Sequence, residues 1–330
     1  MSDANDVTKR SSTTAAWSRY LNHFAPLLAL LAVYFLFASV APTFNTTTNV
    51  ETMARQTAIV GAAAMGMTLV IIAGGIDLSV GSIVSLSAVV TAVLLRDGAS
   101  ASWAAVMAIV VGAVCGLANG VIITRFKLVP FIGTLGTLLI VRGVAKFLSD
   151  EQKVDAPRTV LRELLAPVSK ERSWMLLPTG VWIVLAVAAA IGILLRYGTL
   201  GRHLVAVGSN EATARLCGVA VNRVKIFAYT AGGATAGLAG LMLFARLNVG
   251  EPDAAVGLEL DVIAAVVIGG GSLSGGEGSV LGTLVGASIM TMIRSGCTHW
   301  GLPTYTQEVV TGGIIVVAVA LDRYRHRRLG

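Results

Sequence analysis

Apolar positions along this chain gather into ten runs separated by short polar stretches: 24–41, 57–73, 79–95, 102–124, 128–148, 175–195, 226–247, 259–270, 279–293 and 306–321. Most approach the roughly 20 residues that a helix needs to cross the hydrocarbon core. The pattern predicts an all-α polytopic membrane protein with eight to ten transmembrane helices. Runs 259–270 and 279–293 are short, which predicts half-helices or one re-entrant pair. The first run follows Lys9, Arg10 and Arg19 and ends at the small residues Ser39-Val40-Ala41, in the manner of a signal sequence. At about 18 residues it is long enough to span, so it is expected to remain as the first helix.

Composition agrees with this pattern. Of 330 residues, 55% are hydrophobic and only 13% charged, about half the roughly 25% charged content of a globular chain. The 37 glycines suit closely packed membrane helices. One membrane domain is expected over 24–322, with short tails at 1–23 and 323–330. The three cysteines, Cys115, Cys217 and Cys297, have no spacing of a disulfide framework or metal site.

The net charge of +7 has a topological explanation that needs no nucleic-acid partner. Basic residues cluster in alternate connections: Lys9, Arg10 and Arg19; Arg125 and Lys127; Arg196, Arg202, Arg215, Arg223 and Lys225; and Arg323, Arg325, Arg327 and Arg328. By the positive-inside rule these segments and both termini are cytoplasmic. The last cluster also suits contact with anionic lipid. Segment 149–174 carries five basic and five acidic residues. It is expected to be an external loop with a short amphipathic helix.

Two glycine-rich breaks interrupt the apolar pattern. The first, Gly74-Gly75-Ile76-Asp77-Leu78-Ser79-Val80-Gly81-Ser82, places a carboxylate beside two apolar runs. A charge at membrane depth costs roughly 2.5–3.5 kcal/mol on insertion scales. Irregular backbone survives there only inside protein or along a water-filled cavity. The second break spans Gly269 to Gly278, and an offset of 195 superimposes Leu78-Ser79 on Leu273-Ser274. Transporters often place broken helices along the substrate path. Asp77, Ser79, Asn119, Thr134, Ser272 and Ser274 are therefore candidates for lining a path or for holding a break. For Asp77 both roles stay open. Glu259 and Asp261 stand at a helix start, where capping is the expected role.

The longest basic connection, 196–225, contains its own helix signals. Asn210 can cap a helix beginning at Glu211, and Gly218 can end it. A helix of about two turns is too short to be stable alone and needs a partner surface or the membrane interface. No nucleotide-binding loop is present: Gly271 and Gly276 have the phosphate-loop spacing, but Glu277 stands where lysine is required. No catalytic constellation or metal cluster is readable, so no bound cofactor is expected.

Five blocks in order resemble one family. They are Gly74–Ser82; Ala118-Asn119-Gly120 with Pro130–Gly136 and Arg142-Gly143; Gly201-Arg202; Gly208-Ser209-Asn210-Glu211-Ala212 with Ala214–Gly218; and Leu260–Gly270 with Ser272–Gly276. The set resembles the permease subunits of bacterial ABC importers for simple sugars, of the ribose/xylose/arabinose type, over about residues 24–322. The resemblance implies the importer permease fold in the bacterial inner membrane and dimerisation with a second permease copy. It also implies a cytoplasmic ATPase subunit that carries ATP and Mg, and a periplasmic sugar-binding protein. It makes Gly208, Asn210, Glu211, Ala212, Arg215 and Gly218 the expected ATPase-coupling element. Ser209 and Cys217 depart from the family's usual small residues. Another small solute (a furanone signal, nucleoside or branched amino acid) is the alternative cargo. An ion-coupled transporter using Asp77 is the alternative mechanism.

Overall fold

The computed structural model describes residues 25–167 and 175–329. The N-terminal tail with Lys9, Arg10 and Arg19, segment 168–174, and the side chains of Arg325, Arg327 and Arg328 lie outside the described residues. Each of the ten apolar runs corresponds to a helix: α1 (Ala25–Val40), α2 (Thr47–Ile72), α3 (Val80–Arg96), α4 (Ala101–Phe126), α5 (Pro130–Leu148), α6 (Thr179–Tyr197), α9 (Val221–Leu247), α10 (Leu258–Ile268), α11 (Val280–His299) and α12 (Thr304–Leu329). Two shorter helices, α7 (Thr199–Ser209) and α8 (Glu211–Leu216), occupy the basic connection between α6 and α9.

Six helices, α2, α4, α5, α6, α9 and α11, are long and apolar enough to cross a membrane, and α1, α3 and the apolar part of α12 (Thr304–Ala320) are shorter apolar segments. The protein is an all-α polytopic membrane protein. Its boundaries differ from the pattern in three places. Helix α11 is 20 residues long rather than a half-helix; Arg294, Ser295, Thr298 and His299 lower its hydropathy but face a polar cavity instead of lipid. Helix α2 starts ten residues early for the same reason: its first turns hold Asn49, Thr52 and Gln56, which line that cavity. The tail beyond 322 continues α12 as helix to Leu329. Helix α10 has only 11 residues.

Helix α9 is the central element, packed against α4, α2 and α3. Its contact with α4 follows from a four-residue spacing of small residues. Ala104, Ala108, Gly112, Gly116 and Gly120 form the buried stripe of α4. A methyl group on Gly233 of α9 would lie 2.8 Å from the Gly116 Cα, so the two backbones touch directly. The opposite faces of α4 and α5 expose Val114, Ile132, Leu139, Ile140 and Phe147, the surface that lipid or a partner helix covers.

Among its described residues the expected external loop contains a 3₁₀ turn, Val160–Leu164. It also contributes a two-residue strand, β1 (Val154–Asp155), which pairs antiparallel with β2 (Val249–Gly250) after α9. The ion pair Lys153–Glu251 (3.4 Å) joins the same two connections, and Lys146 in the last turn of α5 pairs with Asp253 (3.1 Å).

Candidate functional site

The first glycine break is a helix terminus followed by a braced turn. Gly74 has φ 76°, its N–H donates to the Ile71 carbonyl, and the Gly75 N–H donates to the Val70 carbonyl (both 2.9 Å). This paired reach back into the last turn is a Schellman motif, in which glycine supplies the left-handed residue. The chain then passes residues 75–77 without regular structure and turns at Leu78-Ser79 before α3 begins. Asp77 Oδ1 accepts from the Ser79 N–H (2.9 Å) and the Ser79 hydroxyl (2.6 Å). Asn119 of α4 donates its amide to both Asp77 oxygens (3.3 Å each) and to Ser79 Oγ (2.8 Å). From α5, Thr134 Oγ1 accepts the Leu78 N–H (3.1 Å). From α9, the Tyr229 hydroxyl donates to the Ile76 carbonyl (3.3 Å). Asp77, Ser79, Asn119 and Thr134 thus converge, all at 3% exposure or less. In this conformation they tie the turn to α4 and α5 and satisfy backbone groups that water cannot reach.

The second break ends α10 by the same device. Gly270 has φ 90°, its N–H donates to Val267 (2.9 Å), and the Gly271 N–H donates to Val266 (2.8 Å). Ser272 is buried and its Oγ accepts the Ser274 N–H (3.2 Å), while Ser274 is exposed. The two breaks meet in space. The Gly276 N–H donates to the Ile72 carbonyl at the end of α2 (2.9 Å). Gly208, in the last turn of α7, seats against both. A methyl there would strike the Ile72 carbonyl oxygen and lie 2.5 Å from the Gly276 nitrogen. Backbone from three segments distant in sequence is therefore in direct contact at one point.

Helix α8 projects from this joint. The Asn210 side chain accepts the Thr213 N–H (2.9 Å) as its cap. Gly218, with φ 81°, ends it by the same Schellman pairing: Gly218 to Arg215 (3.1 Å) and Val219 to Ala214 (3.0 Å). Glu211 accepts from Lys225 of α9 (2.5 Å) and from Arg215 one turn on (2.9 Å). The hydrogen bond from Lys225, foremost, holds the Glu211 carboxyl below its ordinary range. Leu216, 88% exposed, and Ala212 stand on the open side of α8.

At the other end of α2 lies a polar cavity of about 370 Å³ between α2, α9, α10 and α11. Asn49 Oδ1 accepts from the Ser295 hydroxyl (2.8 Å) and pairs with His299 Nε2 (3.0 Å), while Thr43 Oγ1 lies 2.7 Å from His299 Nδ1. Asp261 Oδ2 pairs with Arg294 (2.7 Å). The carboxylate is buried, whereas the Arg294 side chain is about half exposed. Gln56 and Arg246 complete the polar wall.

The sequence pattern of one family, described as "Branched-chain amino acid transport system / permease component", matches residues 49–319. The chain belongs to this permease family. The ribose import permease protein RbsC of Escherichia coli (strain K12) is 38% identical over 316 residues, covering 96% of this chain and 97% of its own length. RbsC of Bacillus subtilis (strain 168) is 37% identical over 304 residues, 92% and 93% of the two chains. The L-arabinose ABC transporter permease protein AraH of Azospirillum brasilense is 32% identical over 315 residues, 93% and 89%. No solved structure matches.

Several residues of this permease escape a reading of its sequence. Asp261 is in the first turn of α10, as capping would require, but its carboxylate pairs with Arg294, 33 positions away in a different helix. An arginine inside a helix of spanning length was the available signal for that pair. Tyr229 sits in an apolar run and carries no signal at all. The joint at Gly208 is equally silent, because glycine in a connection reads first as a turn residue.

Proposed function

We propose that this permease is the membrane-spanning subunit of an ATP-driven importer that moves a monosaccharide or related polyol. The observation that carries the reading is its nearly full-length relation to permeases named for ribose and L-arabinose import. In this reading two permease copies enclose the path in the cytoplasmic membrane. A separate ATPase subunit, holding ATP and Mg, takes α8 into a cleft, and a periplasmic binding protein delivers the cargo to the opposite face. The basic residues of 196–225 support a cytoplasmic position for α8 and for both termini. Movement of α8 would reach the membrane through Gly208, which touches the ends of both broken segments. Asp77, Ser79, Asn119 and Thr134 keep the first break in shape while that happens.

Reconstitution tests this. The permease is assembled in proteoliposomes with its cognate ATPase and binding protein, the latter loaded with labelled D-ribose or L-arabinose. Sugar uptake that requires ATP, with ATPase activity stimulated by the loaded binding protein, is expected. Failure to assemble with the ATPase, or hydrolysis that ignores the loaded binding protein, would overturn it. The family's description favours one second reading, the same machine carrying a branched-chain amino acid. A solute panel on the cognate binding protein separates the two.

A further inference from the structure

We propose that the polar cavity at the outer end of α2 is a transit site for a neutral polyhydroxylated solute. The proposal rests on the sugar-importer reading and adds a place and a set of residues to it. Three observations converge. The cavity's volume, about 370 Å³, falls in the roughly 300–1,000 Å³ range of small-molecule sites. Asp261 is 1% exposed, lines the cavity and leaves Oδ1 without a hydrogen-bond partner, although Oδ2 is held by Arg294. Oδ1 is shut off from solvent in this conformation; a buried carboxylate oxygen requires a donor, and a sugar hydroxyl supplies one once the Asp261 side chain turns toward the cavity it lines. Arg294, about half exposed and paired with Oδ2, also lines the cavity and has further N–H donors to offer a solute.

A carboxylate oxygen next to guanidinium donors suits a vicinal diol, in which one hydroxyl donates while its neighbour accepts. Gln56, with both an acceptor and a donor, and Arg246 face the same space. The site is separate from the energy-coupling parts: it opens near the first turns of α2, whereas Ile72, Gly208 and Gly276 meet at the last.

The test uses the full transporter in proteoliposomes, with D-ribose and L-arabinose as probes and the matching aldonic acid, ribonate, as a charged competitor. Val256 lines the cavity and is 54% exposed, so Val256→Trp narrows it without disturbing the packed core. Its expected effect is about tenfold slower sugar uptake, with ATPase stimulation by the loaded binding protein changed less than about twofold. Gln56→Ala, which removes a polar group and leaves the Asp261–Arg294 pair intact, should slow uptake and alter the ratio of ribose to arabinose transport. Wild-type uptake in both variants would overturn the site, and preference for ribonate would overturn the neutral polyol as its ligand. If the wild-type transporter moves neither pentose, the sugar reading falls and the polyol assignment with it. The same variants assayed with the solute that the binding protein does carry then decide the transit site, and wild-type rates overturn it.

Discussion

Substituting Gly208 by alanine should loosen the link between the cytoplasmic helices and the membrane without unfolding the protein. The added methyl meets backbone atoms: the Ile72 carbonyl, and the Gly276 nitrogen at 2.5 Å, where ordinary contact begins at 3.4 Å. Backbone cannot rotate aside as a side chain can. Either α7 withdraws or the Gly276–Ile72 hydrogen bond opens. Overpacking of this kind costs about 1–3 kcal/mol, and the lost hydrogen bond about 1 kcal/mol. Alanine recovers up to about 1 kcal/mol of helix propensity in α7. The net cost is about 1–3 kcal/mol, which is roughly 5–150-fold in the seated fraction of α7. Hydrogen exchange at the Gly276 amide reads the seating directly, and sugar uptake per ATP hydrolysed reads its consequence. Faster exchange and lower uptake are expected, with assembly retained. Gly218→Ala is the control: its φ is 81° and nothing lies within 4 Å of the added methyl, so it strains the end of α8 and leaves Gly276 protected. Unchanged exchange at Gly276 in Gly208→Ala would refute the argument from close contact.

Four further outcomes follow from the same coordinates. Glu211 has a depressed carboxyl pKa, so its contribution is complete near neutral pH and is lost as pH falls from 4.5 through the lower folded-state value; proteolysis of segment 208–220 should stay flat near neutrality and rise only in acid. Glu211→Gln should destabilise α8 by no more than about 1 kcal/mol, because the carboxylate is 43% exposed, and exchange at the Thr213 amide measures it. Asp77→Asn replaces an acceptor by an amide that faces the donors of Ser79 and Asn119, costing about 1–3 kcal/mol; it should lower the thermal midpoint while residual uptake stays ATP-driven and independent of a proton gradient. Arg294→Ala leaves Asp261 buried and unpaired, costing about 3–5 kcal/mol; the double variant Asp261→Ala/Arg294→Ala should unfold at a higher temperature than Arg294→Ala alone.

Local signals in this chain were legible and distant pairings were not. The ten apolar runs fall on helices because each run is its own evidence of burial in lipid or protein. The cap at Asn210 and the stop at Gly218 were readable because both act within four residues. Asp77, Ser79, Asn119 and Thr134 were singled out one by one as polar groups in apolar company, and the fold brings these four together. Their shared turn was visible; Tyr229, which completes it, was not. Helix α11 was cut short in the sequence pattern because Arg294 and His299 depress its hydropathy, and only the cavity beside it explains why a spanning helix tolerates them. The Asp261–Arg294 pair and the Gly208 joint depend on segments 33 and more than 60 residues apart, which no period or spacing encodes.

Helix α10 carries a consequence for the barrier itself. Its 11 residues rise only about 16 Å, roughly half of the 30 Å hydrocarbon thickness. The chain from Val249 to Gly257 precedes α10, and the polar cavity lies next to Leu258 and Asp261. Along this line the regular helix is too short to cross the hydrocarbon by itself, and the cavity adjoins its first turn. If that cavity is the transit site proposed above, a solute reaching it keeps polar neighbours, and what remains to be opened is the short stretch between Asp261 and the glycine turn at 269–271.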